Sequence, residues 1–217
     1  MSISSLQTVV LDPGHGTKNC LGGTKDEAYY TLSMSKQIKK VLEQHKIRVI
    51  LTHSYIGEDL GAKDADDDNR LRAEIANKNK AILFLRIHFD CPSGASAIYY
   101  PRLHPDKVLA SKSREAASYI WSNLKPVLPN VKKAGILGDE KTKIGSQKGG
   151  LLVGSKFSKV PVVLIEVLPL KKEMKDWLNK KGNSEKVSEA IAEGVLEYIR
   201  HCSGQSNKKE SGIASNK

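Results

Sequence analysis

Cysteine is scarce in this chain: Cys20, Cys91 and Cys202 stand far apart, and none falls in a CxxC spacing. That excludes a disulfide framework and a cysteine-built zinc cluster, both of which need paired thiols. Cys91 lies close to His88 in sequence, so a nucleophilic Cys–His pair stays open, although an isolated thiol more often only packs. Aromatic residues are also few, at 6%, and scattered. No set of stacking rings and no recognised nucleic-acid motif is present, which argues against a nucleic-acid-binding protein. No apolar run approaches the roughly 20 residues that cross a bilayer. The first residues, MSISSLQTVV, lack a basic segment followed by an apolar one, so no signal peptide is expected in this chain.

Positive charge is abundant. Lys and Arg number 35 against 24 Asp and Glu, a formal net charge of +11. Such an excess attracts polyanions, among them nucleic acid, an anionic cell wall or a membrane surface, or it simply keeps a lysine-rich surface solvated. With 39% apolar residues in 217, the chain is large enough for one ordinary domain with a full core.

Five apolar segments read as strands: Thr8 to Leu11, Ile47 to Leu51, Ala81 to Ile87, Ala97 to Tyr100, and Val160 to Val167. The first, third and last are near-continuous runs, the pattern of strands covered on both faces. Helical spacing of apolar residues marks Glu27 to Gln44, Arg70 to Asn79, Ser111 to Leu124 and Glu185 to His201. Strands alternating with helices predict an α/β fold: a single domain with a mainly parallel twisted sheet and helices on both faces. Gly61 to Asn69 reads as an acidic loop, Val131 to Gly150 as a long Lys- and Gly-rich loop, and Ser203 to Lys217 as a polar tail without fixed structure.

Ligand sites in such sheets form beyond the carboxyl ends of the strands. The first strand ends in Asp12 and, across a Pro13-Gly14 turn, His15. The third ends in Arg86, His88 and Asp90, and the last carries Glu166. A single histidine at a strand end is usually structural, but an unpaired carboxylate at the end of a buried strand is costly and needs a cation, a hydrogen-bond network or a proton. Two imidazoles and a carboxylate make the first shell of a catalytic zinc site with one position open. Asp26 and Glu27, opening the first long helix, offer further acids, although acids at a helix start are common for dipole reasons. On the residues alone, Asp26, Glu27 and Glu166 all remain candidates for the third ligand.

The ordered set LDPGHG, an acid opening a helix, LTxx, RxxxAN, IH at a strand end and a late LIEV resembles the zinc-dependent N-acetylmuramoyl-L-alanine amidases of family 3. The resemblance runs from about Val9 to Val167 and the closing helix. It implies an amidase catalytic domain over residues 1–202, followed by the tail at 203–217. It further implies Zn2+ held by His15, Glu27 and His88, Glu166 as catalytic acid/base, and Arg72 and Asn77 as structural support. The substrate implied is peptidoglycan, cut at the amide between the lactyl group of N-acetylmuramic acid and L-alanine of the stem peptide. Substrate-binding residues stay unassigned. The site of action implied is the bacterial cell envelope or its exterior, with the enzyme serving as autolysin or endolysin.

Departures accompany the resemblance. The loop between His15 and Glu27 is short, Arg86 replaces Ser, Asp90 replaces Asn, His53 replaces Arg, and Leu168-Pro169 replaces Gly-Phe. Some family members carry an inserted helix that plugs the site until a partner removes it. That helix would fall within Val131 to Gly150, where too few apolar residues stand at helical spacing, so no activator is expected. Three competing readings are a non-catalytic wall-binding module on the same fold, against which Glu166 argues, a basic nucleic-acid binder, and a zinc carboxypeptidase of different topology, which DPGHG and LIEV fit poorly.

Overall fold

A computed structural model of the chain describes residues 7–20 and 25–213. Six strands form one sheet in the order β2-β1-β3-β6-β4-β5. They are β1 (Thr8–Pro13), β2 (Arg48–Leu51), β3 (Leu83–Asp90), β4 (Ser96–Tyr100), β5 (Lys133–Gly138) and β6 (Val162–Pro169). The strands β2, β1, β3 and β6 run parallel; β4 lies antiparallel to β6 and parallel to β5. The apolar runs of β1, β3 and β6 occupy the middle of the sheet, where both faces are covered. Val9, Val10, Leu85 and Ile165 are fully buried there.

Helices α1 (Lys25–Gln44), α3 (Lys107–Leu124) and α7 (Asn183–Ile213) cover one face over the larger core, which includes Met34, Ile120, Ile191 and Tyr198. On the other face, α2 (Ala65–Lys78) packs Ala73 and Ala76 against Val10 and Phe84. Burying each large aliphatic side chain stabilises the fold by about 1.5–3 kcal/mol relative to exposure. The remaining helices are short: α4 (Lys143–Gln147), α5 (Val153–Phe157) and α6 (Lys172–Leu178).

Three segments differ from the sequence expectation. Residues 131–150, expected as a loop, contain β5, a 3-10 turn (Asp139–Lys141) and α4. β5 is an edge strand whose first two residues are exposed, so little apolar alternation was needed to form it. The acidic stretch expected as a loop is largely the first turn of α2. Asp64 caps that helix by accepting from the Asp67 amide, and Asp66, Asp67 and Asp68 favour its positive end. Helix α7 runs to Ile213 and so takes up most of the polar segment from Ser203. That segment contains no proline, and extending a formed helix needs no new nucleus. The last four residues of the expected tail, Ala214 to Lys217, lie outside the described residues. No helix among the described residues is long and apolar enough to cross a membrane.

Candidate metal centre and catalytic acid

Because β1, β3 and β6 are adjacent and parallel, their carboxyl ends meet at one edge of the sheet. The chain leaves β1 through Gly14, whose amide donates to Ile87 O at 2.8 Å. His15 then takes a positive φ of 58° and Gly16 one of 80°. This left-handed pair folds the loop back over the strand ends, and Gly57 N fixes it by donating to Gly16 O at 2.6 Å. A glycine is required at position 14 because a Cβ there would stand 2.5 Å from the His88 ring.

Glu27 enters from the first turn of α1 and is buried, while its neighbour Asp26 turns outward to Lys175 Nζ at 2.8 Å. Glu27 Oε1 lies 3.2 Å from His15 Nε2 and 3.4 Å from His88 Nδ1. His15, Glu27 and His88 each present a ligand atom, all within 4.8 Å of one another, and together form a group able to hold a metal ion. Zinc with bonds of about 2.0–2.1 Å in a tetrahedron has ligand–ligand edges of about 3.3 Å, so this donor set fits it. His88 Nε2 is enclosed without a hydrogen-bond partner among the described residues.

The electrostatics follow the packing. Burial lowers His15, but the neighbouring Cys20 thiol and the Glu27 carboxylate outweigh it and raise the imidazole to about 9. Burial raises Glu27, and the two histidines more than reverse this, taking it down to about 2. His88, more deeply buried, falls to about 4 and stands neutral, the form that binds metal. The proton shared by His15 and Glu27 thus sits where a cation would replace it.

Glu166 is not part of this group but lies beside it, paired with His88 across β3 and β6 and with Ala97 across β6 and β4. Its Oε2 is enclosed without a partner. Burial, with the Asp90 and Glu27 carboxylates nearby, pushes the Glu166 carboxyl up to about 8. In the sequence Asp90 stood out as a strand-end acid and as a replacement of the family's Asn. In the fold it accepts from the amides of Cys91 and Ala95, holding the turn into β4, and adds negative charge near Glu166. Cys91 forms no pair with His88. Its exposed thiol lies 3.6 Å from Ser93 Oγ, while His88 faces Glu27.

Beneath the candidate metal group lies a second polar cluster. Asp12 Oδ2 accepts from Arg86 Nε at 2.8 Å, Asp12 Oδ1 accepts from Thr52 Oγ1 at 2.6 Å and Arg72 Nη1 at 2.7 Å, and Arg72 Nε donates to Asp68 at 2.6 Å. Two acids and two guanidinium groups make this cluster neutral. His53 adjoins it and is pushed down to about 4 by burial and the Arg72 charge, so the second cation comes from Arg86 rather than from position 53. Asn77 ties the end of α2 to the chain entering β6, donating to Phe157 O at 2.9 Å and accepting from Lys159 N at 2.7 Å.

An α/β sheet that gathers a cation-binding donor set and a carboxyl held near neutrality at one edge defines a hydrolase with a candidate metal centre. More particularly, the chain belongs to the N-acetylmuramoyl-L-alanine amidase family, whose model matches residues 9–197. It is therefore a peptidoglycan-cleaving amidase. Solved structures agree in fold. The catalytic domain of CwlV, an amidase from Bacillus (Paenibacillus) polymyxa var. colistinus, matches at 22% identity and TM-score 0.68, covering 90% of this chain and 99% of that one. Cwp6 from Clostridium difficile matches at 26% identity and TM-score 0.72, covering 90% of this chain and 30% of that one. The CwlD amidase from Clostridioides difficile, solved in complex with the GerS lipoprotein, matches at 22% identity and TM-score 0.69, covering 89% and 98%. A search of curated proteins returns no match.

Proposed function

We propose that the protein is a zinc-dependent hydrolase cutting the amide between the lactyl group of N-acetylmuramic acid and L-alanine, with His15, Glu27 and His88 as metal ligands and Glu166 as acid/base. The observation that carries this reading is the His15–Glu27–His88 group with an enclosed, partnerless Glu166 in register beside His88. Zinc in that group supplies Lewis acidity toward water and the scissile carbonyl. Glu166 takes the proton from the attacking water and returns it to the leaving amine of L-alanine. The buried cluster under the site is bonded within itself and fixes the strand end from which His15 departs.

Action falls in the cell wall, and the net charge of +11 supplies affinity for that anionic polymer. The reading takes turnover to need no activator, and the short elements of the span 131–150, an edge strand and a five-residue helix capped by Thr142, support it. The test is mass spectrometry of peptidoglycan fragments after digestion by the purified protein alone, with and without chelator. New L-alanine amino termini that vanish on chelation are expected. Termini that appear only after adding a partner protein would overturn the activator-free reading. Wall binding without new termini would identify a binding module instead.

A further inference from the structure

We propose that Arg72 is the positioning residue of the first metal ligand, holding the His15 backbone in the left-handed turn that aims its imidazole at Glu27 and His88. The inference rests on the ligand set proposed above. Arg72 is 1% exposed, yet every nitrogen of its guanidinium fork is engaged. Nε donates to Asp68 Oδ2 at 2.6 Å, Nη1 to Asp12 Oδ1 and Pro13 O, both at 2.7 Å, and Nη2 to His15 O at 3.1 Å and Thr17 Oγ1 at 2.8 Å. Two of those five bonds go to the loop that carries His15, and a third to Pro13, the last residue of the strand it leaves. Only the planar, rigid guanidinium can serve a strand end, a loop and a helix at once; a lysine ammonium is a point donor on a flexible stem.

The loop needs such a clamp. A non-glycine residue in the left-handed region costs on the order of 1–2 kcal/mol and persists only where its surroundings hold it. The other anchors act on the glycines either side: Ile87 O and Thr31 hold Gly14, and Gly57 holds Gly16. Among the described residues, the bond to the carbonyl of His15 itself comes from Arg72. The hydrogen bonds of Arg72 reach the His15 loop through the His15 carbonyl and Thr17 Oγ1, so it acts through His15 rather than on substrate.

The experiment compares Arg72→Lys with Asp68→Asn in the full chain. Both disturb the buried cluster, but only the first removes the fork from the His15 loop. Zinc affinity is measured by competition with a chromophoric chelator. The visible absorption of the Co2+-loaded protein reports ligand geometry, and Tm reports the fold. Arg72→Lys is expected to weaken zinc binding by about 10–100-fold, to change the Co2+ spectrum, and to lower kcat with KM unchanged. Asp68→Asn is expected to lower Tm with zinc affinity and spectrum as in the wild type. A folded Arg72→Lys protein with wild-type affinity, spectrum and kcat overturns the proposal. If Arg72→Lys does not fold, Thr17→Val keeps every charge and removes one acceptor of Nη2. A smaller loss of affinity in the same direction then supports the proposal, and unchanged affinity overturns it. Wild-type protein that takes up no zinc overturns the ligand set itself, a failure seen before any variant is made.

Discussion

Two polar clusters lie one above the other at the carboxyl edge of this sheet, and they are finished differently. In the lower one, Asp12, Asp68, Arg72 and Arg86 balance to zero charge, and nearly every polar atom has a partner; Asp68 Oδ1 is the exception. In the upper one, His88 Nε2 and Glu166 Oε2 are enclosed with none, and carboxylates face one another. Both burial and completion differ: the lower cluster is buried outright, whereas His15, His88 and Glu166 are half-buried at the sheet edge. A buried group left incomplete raises the free energy of the fold unless a ligand completes it. The contrast therefore separates the cluster that holds the chain from the one proposed to act, without appeal to residue type, since both contain acids.

That contrast can be broken most sharply at Glu166. Glu166→Gln keeps the shape and removes the proton acceptor, so turnover should fall by about 10²–10⁴-fold while bound zinc, measured by atomic absorption, stays at about one per chain. Unchanged turnover would sink the assignment. The lower cluster should answer in stability instead. Burial opposes ionisation of Asp12, but Arg72, Arg86 and the Thr52 hydroxyl hold its carboxyl well below the usual range. A carboxyl depressed in the folded state stabilises fully above its unfolded pKa of about 3.9, and that stability is lost as pH falls through the folded value. Asp12→Asn should cost about 3–5 kcal/mol near neutral pH, read by urea unfolding, and should flatten the decline of Tm in acid. The smallest effect is expected where the clusters adjoin. Gly14→Ala places a Cβ against the His88 ring without altering any ligand, so zinc affinity should drop by about 10–100-fold with little change in Tm.

Much of the site was legible because it hangs on the most legible elements. The runs TVVLDP, LFLRIHFD and VVLIEVLP are unbroken enough to read as central strands, and their polar ends converge by topology alone. Glu27 was not decidable from residues by themselves. Asp26 and Glu27 differ by about 100° around a helix whose phase against the sheet is a tertiary fact, and only packing turns one inward and the other to Lys175. The edge strand KAGILG was illegible for a different reason: its first residues face solvent, and its pairing with β4 needs backbone more than side chains. Arg86 and His53 looked like two unrelated departures. Their relation appears only when both are seen against Asp12, with the cation supplied from one strand and the neighbouring imidazole neutral.

The place of β6 in the sheet has a consequence for assembly. It follows the other five strands in sequence, yet it lies between β3 and β4, which precede it by more than sixty residues and are joined by a short turn over its end. A chain made only as far as Gly150 would leave a gap of two inter-strand spacings, about 10 Å, through the middle of its sheet. The strand that closes the gap is the one bearing Glu166. Completion of the sheet and placement of Glu166 are thus a single event, and no product that stops short of β6 combines a finished sheet with that carboxyl at its edge.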